Sequence, residues 1–290
     1  MTGFAAAKVN LYLHVAPPTP DGFHPLSSLM VFADVGDRLD LREGGALSLS
    51  IGGEFGAGLE AGEDNLVLRA ARALIAEAGP LPAFRIALTK DLPLAAGLGG
   101  GSSDAGAVLR LIRRTYDVPV DDARLEAIAA SLGSDGAACL WSRPVIAEGR
   151  GERLSPAPGL PRIDAVLVNP RAASPTGPVY RAYDAAGAPG DAHRPAMPDA
   201  FESAEELAGF LALCRNDLEA PAVGLEPAIG DVLDTLRGEP ETLLARVSGS
   251  GATCFALCAG DIEAEGLAER LEQLRPHWWT RRCRLGGPWD

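Results

Sequence analysis

The chain has 290 residues, of which 47% are hydrophobic, and its 39 acidic and 26 basic side chains give a formal net charge of -13. This apolar content can fill one large or two ordinary cores, which argues against a disordered chain. The acidic surplus offers no broad attraction for nucleic acid or an anionic membrane surface. An anionic small molecule would therefore need a local concentration of donors.

Two features of the sequence indicate the cellular compartment of the protein. Residues 1–15 lack an export signal, and no segment approaches the ~18 consecutive apolar residues of a membrane span. The five cysteines are scattered without a CxxC pair, which argues against disulfides and a zinc site, and the apolar run around Cys254 and Cys258 favours buried thiols there. We expect a soluble, cytoplasmic protein, and both a monomer and a homodimer remain open.

The first predicted element is a strand. Apolar and polar residues alternate strictly over residues 8–15, so Lys8 and Asn10 share one face, away from the core. Prolines, an aspartate and a glycine predict a turn at residues 17–22. Strand-like stretches broken by glycines follow between residues 35 and 51.

A strand, a glycine-rich loop and a helix follow one another in the middle of the chain. Asp64 is the predicted N-cap of an earlier helix, which Gly79 ends. Residues 84–88 alternate like a half-exposed strand, and residues 93–103 form the glycine-rich loop. A helix is predicted from about residue 104 to residue 116. This order brings the loop to a helix N-terminus.

Strands and helices are also interspersed in the remaining sequence. The prolines and glycine of residues 155–161 predict a boundary between domains 1–154 and 155–290. Alternating strands favour an α+β fold over a parallel doubly wound sheet. The further predicted elements are helices at 121–131, 136–141, 226–237 and 262–274, strands at 165–168 and 254–258, and a loop at 185–198.

The glycine-rich loop has the chemistry of a phosphate site. Four glycines within residues 97–101 allow successive backbone N–H groups to face a ligand, beside the positive end of the helix dipole. A Walker A loop would need a lysine after the glycines, and a Rossmann fingerprint would need a glycine in place of Ser102. Neither pattern fits, and a flexible turn without a ligand is the alternative.

Three ordered segments, residues 6–13, 93–103 and 248–253, resemble the three motifs of the GHMP kinase superfamily. The resemblance covers nearly the whole chain. It implies an N-terminal domain like that of ribosomal protein S5, a ferredoxin-like C-terminal domain and an active site between them. It also implies transfer of the γ-phosphate of ATP, accompanied by Mg²⁺, to a hydroxyl of a small molecule.

A second set of segments indicates which members of the superfamily the chain resembles most. Residues 21–24, 133–135 and 215–217 resemble the superfamily members that phosphorylate a cytidine-diphosphate-linked sugar alcohol of the non-mevalonate isoprenoid pathway. A homoserine or mevalonate type of kinase is one alternative. A catalytically silent nucleotide-binding homologue is the other.

The resemblance implies roles for individual residues. Asp135 would accept the proton of the substrate hydroxyl, while Lys8 would orient that hydroxyl and neutralise charge on the transferred group. Hydroxyls of Ser102 and Ser103 are possible Mg²⁺ ligands. ATP would be bound by Asn65, Pro93, Leu94, Ala95, Ala96, Gly97, Leu98, Gly99, Gly100, Gly101, Ser102 and Ser103, and the substrate by Asn10, Phe23, His24, Tyr180, Gly249, Ser250 and Gly251.

Ordinary structural roles compete with these assignments. Asp135 could only cap the helix that follows it, Lys8 could be a charged strand flank, and Asn65 could only cap a helix. The sequence also departs from the family pattern at three places. Ala7 replaces a proline, Phe23 replaces a tyrosine, and residues 136–138 replace a Val-Pro-Phe-like run.

Overall fold

A mixed sheet runs through both halves of the chain in the computed structural model, which describes residues 1–187 and 190–289. Its strand order is β3-β4-β2-β10-β7-β9-β8, with β1 and β5 also paired to β2 and β6 paired to β5, where the strands are β1 (Thr2–Val15), β2 (Leu26–Glu43), β3 (Ser48–Gly52), β4 (Phe84–Thr89), β5 (Val145–Gly149), β6 (Arg153–Pro156), β7 (Ile163–Asn169), β8 (Thr242–Val247), β9 (Cys254–Cys258) and β10 (Trp279–Gly286).

Helices cover the sheet in both halves. They are α1 (Leu66–Ala78), α2 (Gly100–Tyr116), α3 (Asp122–Leu132), α4 (Gly136–Trp141), α5 (Thr176–Ala185), α6 (Ala204–Ala212), α7 (Glu219–Leu225), α8 (Pro227–Gly238) and α9 (Asp261–Leu274). The pairing of β3 with β4 is parallel and the neighbouring ladder between β2 and β4 is antiparallel. The predicted α+β class is confirmed. Over the described residues, none of the helices is both long and apolar enough to cross a membrane.

Strand β2 pairs with four other strands of the sheet. Its residues 26–30 pair with β5, residues 32–33 with β10, and residues 38–43 with β4, while β1 pairs along most of its length. Strand β10 in turn pairs with β7, and its Trp279 is buried in a core shared by β1, β2, β7 and β9. The domain boundary between residues 154 and 155 stays a prediction. Strand β6 runs across this position, so the boundary does not fall in a loop.

Most predicted elements match the observed ones within two residues. Strands β1 and β2 begin at Thr2 and Leu26, before the predicted starts at residues 8 and 35, and three further predictions were wrong in detail. Strand β1 is buried on both faces, so Lys8 and Asn10 lie inside the protein instead of on a solvent-facing side. Helix α1 is capped by Asn65, whose Oδ1 accepts from the backbone N–H of Val67, and not by Asp64. Helix α2 begins at Gly100, earlier than predicted. The predicted loop 185–198 includes residues 188–189, which lie outside the described residues.

The cysteines form no disulfide among the described residues. All five are free and buried, which confirms the burial predicted for Cys254 and Cys258. Burial raises the pKa of the Cys139 thiol to about 12, and that of Cys258 to about 12. Thiols held in this protonated form are poor nucleophiles, so these side chains act as small apolar groups.

Arg246 of β8 is a buried cation that joins three parts of the fold. Its Nη1 donates to the Leu11 carbonyl of β1 at 2.9 Å, and its Nη2 donates to the carbonyls of Leu211 and Cys214 at 2.9 and 2.8 Å. Burial lowers the pKa of the guanidinium. The side chain thus supplies donors to carbonyls at the C-terminal end of α6, where the intrahelical ladder ends, although the Leu211 carbonyl also accepts from the Cys214 N–H at 2.9 Å.

Replacing Arg246 with methionine should destabilise the fold strongly. Each carbonyl left buried without a donor costs about 1–3 kcal/mol. Urea denaturation should therefore show a clearly lower midpoint for Arg246→Met. The exposed Arg237 pairs with Glu219, and Arg237→Met should change stability by less than about 1 kcal/mol. Equal losses in the two variants would contradict this structural role.

Candidate active site

A cleft of about 1290 Å³ is lined by nearly all the residues that we predicted from the sequence to react or to bind a ligand. Strand β1, the turn before β2, both glycine-rich loops, the start of α4 and helix α5 line it. The predicted residues in this lining are Lys8, Asn10, Phe23, His24, Asn65, Pro93, Leu94, Ala95, Ala96, Gly97, Leu98, Gly99, Gly100, Gly101, Ser102, Asp135, Tyr180, Gly249 and Ser250. Ser103 and Gly251 are buried and lie outside it.

Lys8 and Asp135 face each other in this cleft. The Lys8 ammonium lies 3.2 Å from the Asp135 carboxylate and donates to Asn10 Oδ1 at 2.6 Å. The side chain of Lys8 is 6% exposed and that of Asp135 is 27% exposed. Asn10 Nδ2 donates to Ser28 Oγ at 2.8 Å, which fixes the amide orientation. Asn10 therefore holds Lys8 in place, and Asp135 remains open to the cleft.

Asp135 occupies the N-cap position of α4, but its side chain makes no capping hydrogen bond. The carboxylate is thus turned to Lys8. Helix α4 packs tightly on α3 at Gly136, where a Cβ atom would lie 1.9 Å from the Ala129 carbonyl oxygen. Only glycine fits this contact, which accounts for the first residue of the departure at positions 136–138.

The first glycine-rich loop supplies backbone donors. Because α2 begins at Gly100, the N–H groups of its first turn belong to the loop itself. Gly97 has a φ of +73°, and a Cβ there would lie 2.0 Å from the Ser248 carbonyl oxygen. The Lys8 N–H donates to the Leu98 carbonyl at 2.9 Å, so strand β1 is bonded directly to the loop. These contacts favour a fixed loop over a flexible turn, with its backbone N–H groups at a helix N-terminus.

Aromatic side chains line another part of the cleft. The rings of His24 and Tyr180 lie 4.8 Å apart, and His24 Nε2 donates to the Asp184 carboxylate at 2.7 Å. The Arg150 guanidinium lies 3.9 Å from the centre of the exposed Phe23 ring. Burial, with a smaller contribution from the Asp135 charge, raises the pKa of the Tyr180 hydroxyl to about 12. Tyr180 therefore stays protonated and uncharged.

The second glycine-rich loop is held by polar side chains that sequence analysis missed. Asn216 Nδ2 donates to the carbonyls of Val247 and Gly249, both at 2.8 Å. Ser174 Oγ donates to the Ser250 carbonyl at 2.6 Å, and the hydroxyls of Thr176 and Ser250 are 3.1 Å apart. Residues 215–217 stood out only by family resemblance. No local pattern indicated that Asn216 reaches this loop.

A buried charge cluster next to the first loop was also missed. Lys90 Nζ lies 2.5 Å from Asp37 and 2.7 Å from Asp104, and all three side chains are nearly fully buried. Burial raises the pKa of Asp104 to about 7, against the opposing effect of the Lys90 ammonium. A Cβ on Gly100 would lie 2.9 Å from Lys90 Nζ, so the cluster contacts the loop. The sequence did contain one sign of this cluster, because Asp104 lies on the apolar face of the predicted helix.

Comparisons with known proteins agree with this architecture. Residues 65–143 match the family model of the GHMP kinases N terminal domain, and residues 195–276 match that of GHMP kinases C terminal. A crystal structure of homoserine kinase from Cytophaga hutchinsonii shares the fold, with a TM-score of 0.69 and 16% identity over 99% of this chain and 94% of that one. The fold is that of the GHMP kinases.

Closer relatives narrow the family. The 4-diphosphocytidyl-2-C-methyl-D-erythritol kinase of Caulobacter sp. (strain K31) is 64% identical, with 99% of each chain covered. A crystal structure of 4-(cytidine 5'-diphospho)-2C-methyl-D-erythritol kinase is 36% identical, with a TM-score of 0.77, over 99% of this chain and 100% of that chain. The chain belongs to the 4-diphosphocytidyl-2-C-methyl-D-erythritol kinase family, which confirms the resemblance inferred from its motifs.

Asp104 should make stability depend on pH. Its folded pKa of about 7 exceeds the ordinary value of 3.8, so the folded state binds this proton more tightly than the unfolded state. The resulting stabilisation is complete below 3.8 and is lost as pH rises through about 7. We expect Asp104→Asn to gain stability relative to the natural protein across that window.

Urea denaturation at several pH values between about 4.5 and about 8 measures this difference. Asp234, an exposed carboxylate of α8, provides the matched control. Asp234→Asn should change stability equally at each pH. A constant difference for Asp104→Asn as well would rule out the effect.

Proposed function

We propose that this protein transfers the γ-phosphate of ATP to the 2-hydroxyl of the methylerythritol part of 4-diphosphocytidyl-2-C-methyl-D-erythritol. The family relationship supports the substrate, since the relatives carry its name. One geometric observation supports the chemistry most strongly. The ion pair of Lys8 and Asp135 faces the same cleft as the glycine-rich loop, with 3.2 Å between ammonium and carboxylate.

In this proposal Asp135 accepts the proton of the attacking hydroxyl. Its carboxylate is partly exposed to the cleft and makes no capping bond, so its oxygens can reach a substrate. Lys8 lies beside it and offsets negative charge that gathers on the transferred group. Asn10 keeps the ammonium in position. Phosphoryl transfer needs this positioning and charge stabilisation more than covalent participation by the protein.

The first glycine-rich loop binds the triphosphate of ATP in this proposal. Backbone N–H groups at the start of α2 and the positive end of the helix dipole favour an anion there. One helix terminus contributes only about 0.3–1 kcal/mol per charge. The amides of residues 97–101 must therefore act together with it.

Mg²⁺ would accompany the nucleotide. Among the described residues, no group of three or more His, Cys, Asp or Glu side chains is arranged to hold a metal ion. Mg²⁺ bound to a nucleotide needs only one or two protein oxygens, because phosphates and water complete its shell. Ser102 lines the cleft, and Asp104 Oδ1 is buried without a hydrogen-bond partner, so these residues would hold it. The bound ion would neutralise phosphate charge.

The aromatic part of the cleft would receive the cytosine. Phe23 and Tyr180 offer ring faces for a planar base, and His24 offers polar ring atoms at its edge. Gly249 and Ser250 lie where a backbone can approach the substrate diphosphate. A cytoplasmic location and the choice between monomer and homodimer stay predictions.

Asp135→Asn tests the proposed base. The amide keeps the size of the side chain but loses its basicity, so turnover should fall by about 10²–10⁴. ATP binding should change little, because the triphosphate contacts belong to the glycine-rich loop. ADP release measures turnover, and calorimetry with a non-hydrolysable ATP analogue measures binding. Turnover equal to that of the natural protein would refute the role of Asp135.

A panel of alcohols tests the substrate. We expect ADP release with 4-diphosphocytidyl-2-C-methyl-D-erythritol and none above background with mevalonate or homoserine. The family membership and the aromatic side chains proposed to receive cytosine motivate this expectation. Activity with mevalonate or homoserine alone would overturn the substrate. ATP binding without activity on any of the three alcohols would point to a silent homologue.

A further inference from the structure

All three sequence motifs meet at one buried hydroxyl, that of Ser248. The backbone N–H of Asn10 in the first motif donates to Ser248 Oγ at 3.2 Å. Ser248 Oγ donates in turn to the Gly97 carbonyl of the second motif at 2.9 Å. Ser248 itself begins the third motif and is fully buried. It does not line the cleft.

The surrounding backbone fixes this hydroxyl from several sides. Asn216 holds the carbonyls on both sides of Ser248, at Val247 and Gly249. The Thr253 N–H donates to the Ala96 carbonyl at 3.1 Å, which gives the two loops a second bond. The second loop is therefore a fixed support against which the first loop rests.

We propose that Ser248 is a positioning residue that sets the distance between the strand carrying Lys8 and the two glycine-rich loops. The inference rests on the proposed function, because the reaction requires the Lys8 and Asp135 pair to reach a phosphate held by the first loop. Ser248 acts through Gly97 and Asn10 and touches no ligand itself. It differs in this respect from Gly249 and Ser250, which face the cleft.

A hydroxyl suits this position because it accepts one hydrogen bond and donates another at the same time. Alanine would leave the Asn10 N–H and the Gly97 carbonyl without this shared partner in a buried site. The cheapest relaxation is a shift of the loop away from β1. Since misplacement of reacting groups by about 1 Å can lower rates by about 10², the effect should appear in turnover.

The kinetic test compares Ser248→Ala and Ser248→Thr with a matched control. Ser27 is equally buried and its hydroxyl lies 3.1 Å from the Tyr12 hydroxyl, but it lies outside the cleft lining. We expect Ser248→Ala to lower kcat by about 10- to 100-fold while KM for ATP changes by less than about threefold. Ser248→Thr should recover part of kcat, and Ser27→Ala should leave it within about twofold. An unchanged kcat in Ser248→Ala would overturn the proposal.

Hydrogen exchange gives a test that does not depend on the substrate. In the full chain without ligand, peptides covering residues 93–103 should exchange about tenfold faster in Ser248→Ala, while residues 279–286 should keep their protection. Ser27→Ala should alter neither segment. Unchanged exchange at residues 93–103 would overturn the proposal even if activity fell. If the natural protein does not phosphorylate the cytidyl alcohol, the proposed function fails, and this measurement still decides the role of Ser248.

Should Ser248→Ala fail to fold, Ser248→Cys is measured by the same two methods. The thiol keeps a weak donor at similar size, so an intermediate loss of kcat and protection is expected. Wild-type values for both quantities in Ser248→Cys would show that the strong hydrogen bonds are dispensable and would count against the proposal.

Discussion

The ion pair between Lys8 and Asp135 is the interaction on which the arrangement of the cleft depends. An ammonium as buried as that of Lys8 is costly unless charge and hydrogen bonds compensate it, and Asp135 and Asn10 do so. Each partner comes from a different part of the fold, strand β1 and the start of α4. Their meeting therefore requires that the long β1–β2 ladder and the packing of α4 on α3 both form correctly. Gly136 permits that packing because no side chain stands between the two helices.

The charge distribution favours backbone groups over charged side chains as the donors of the proposed anion site. The chain carries a net charge of -13, although its proposed ligands are themselves anionic. Of the lysines at the cleft, Lys8 is paired with Asp135, and Lys90 is surrounded by Asp37 and Asp104. Uncharged donors escape this neutralisation. The N–H groups at the start of α2 favour an anion through their fixed orientation, and the first turn of α2 carries no acidic residue that would compete for them.

Local patterns predicted the elements well and their environment poorly. Alternation identified β1, and the glycine run identified the loop at the start of α2, because both depend on neighbouring residues. The same glycines concealed the true start of α2, since their weak helix propensity suggested that the helix begins later. Burial of both faces of β1 could not be predicted, because residues distant in sequence pack on it: Leu13 and Val15 share a core cluster with Val166 and Leu218. Arg246 also donates to the Leu11 carbonyl at the edge of the strand. The contacts of Ser248 span 238 and 151 residues in sequence, beyond the reach of any periodic signal.

The departures from the family pattern fall where the fold can absorb them. Ala7 lies at a shift in register between β1 and β2, where the ladder is already interrupted and does not depend on a proline. Phe23 lacks the usual hydroxyl, but the Arg150 guanidinium covers one face of its ring, and Arg150 also pairs with Asp21. The remaining face is then the one on which a planar base can stack. Because none of these changes replaces Lys8 or Asp135, they alter the scaffold around the ion pair and leave both of its charged groups in place.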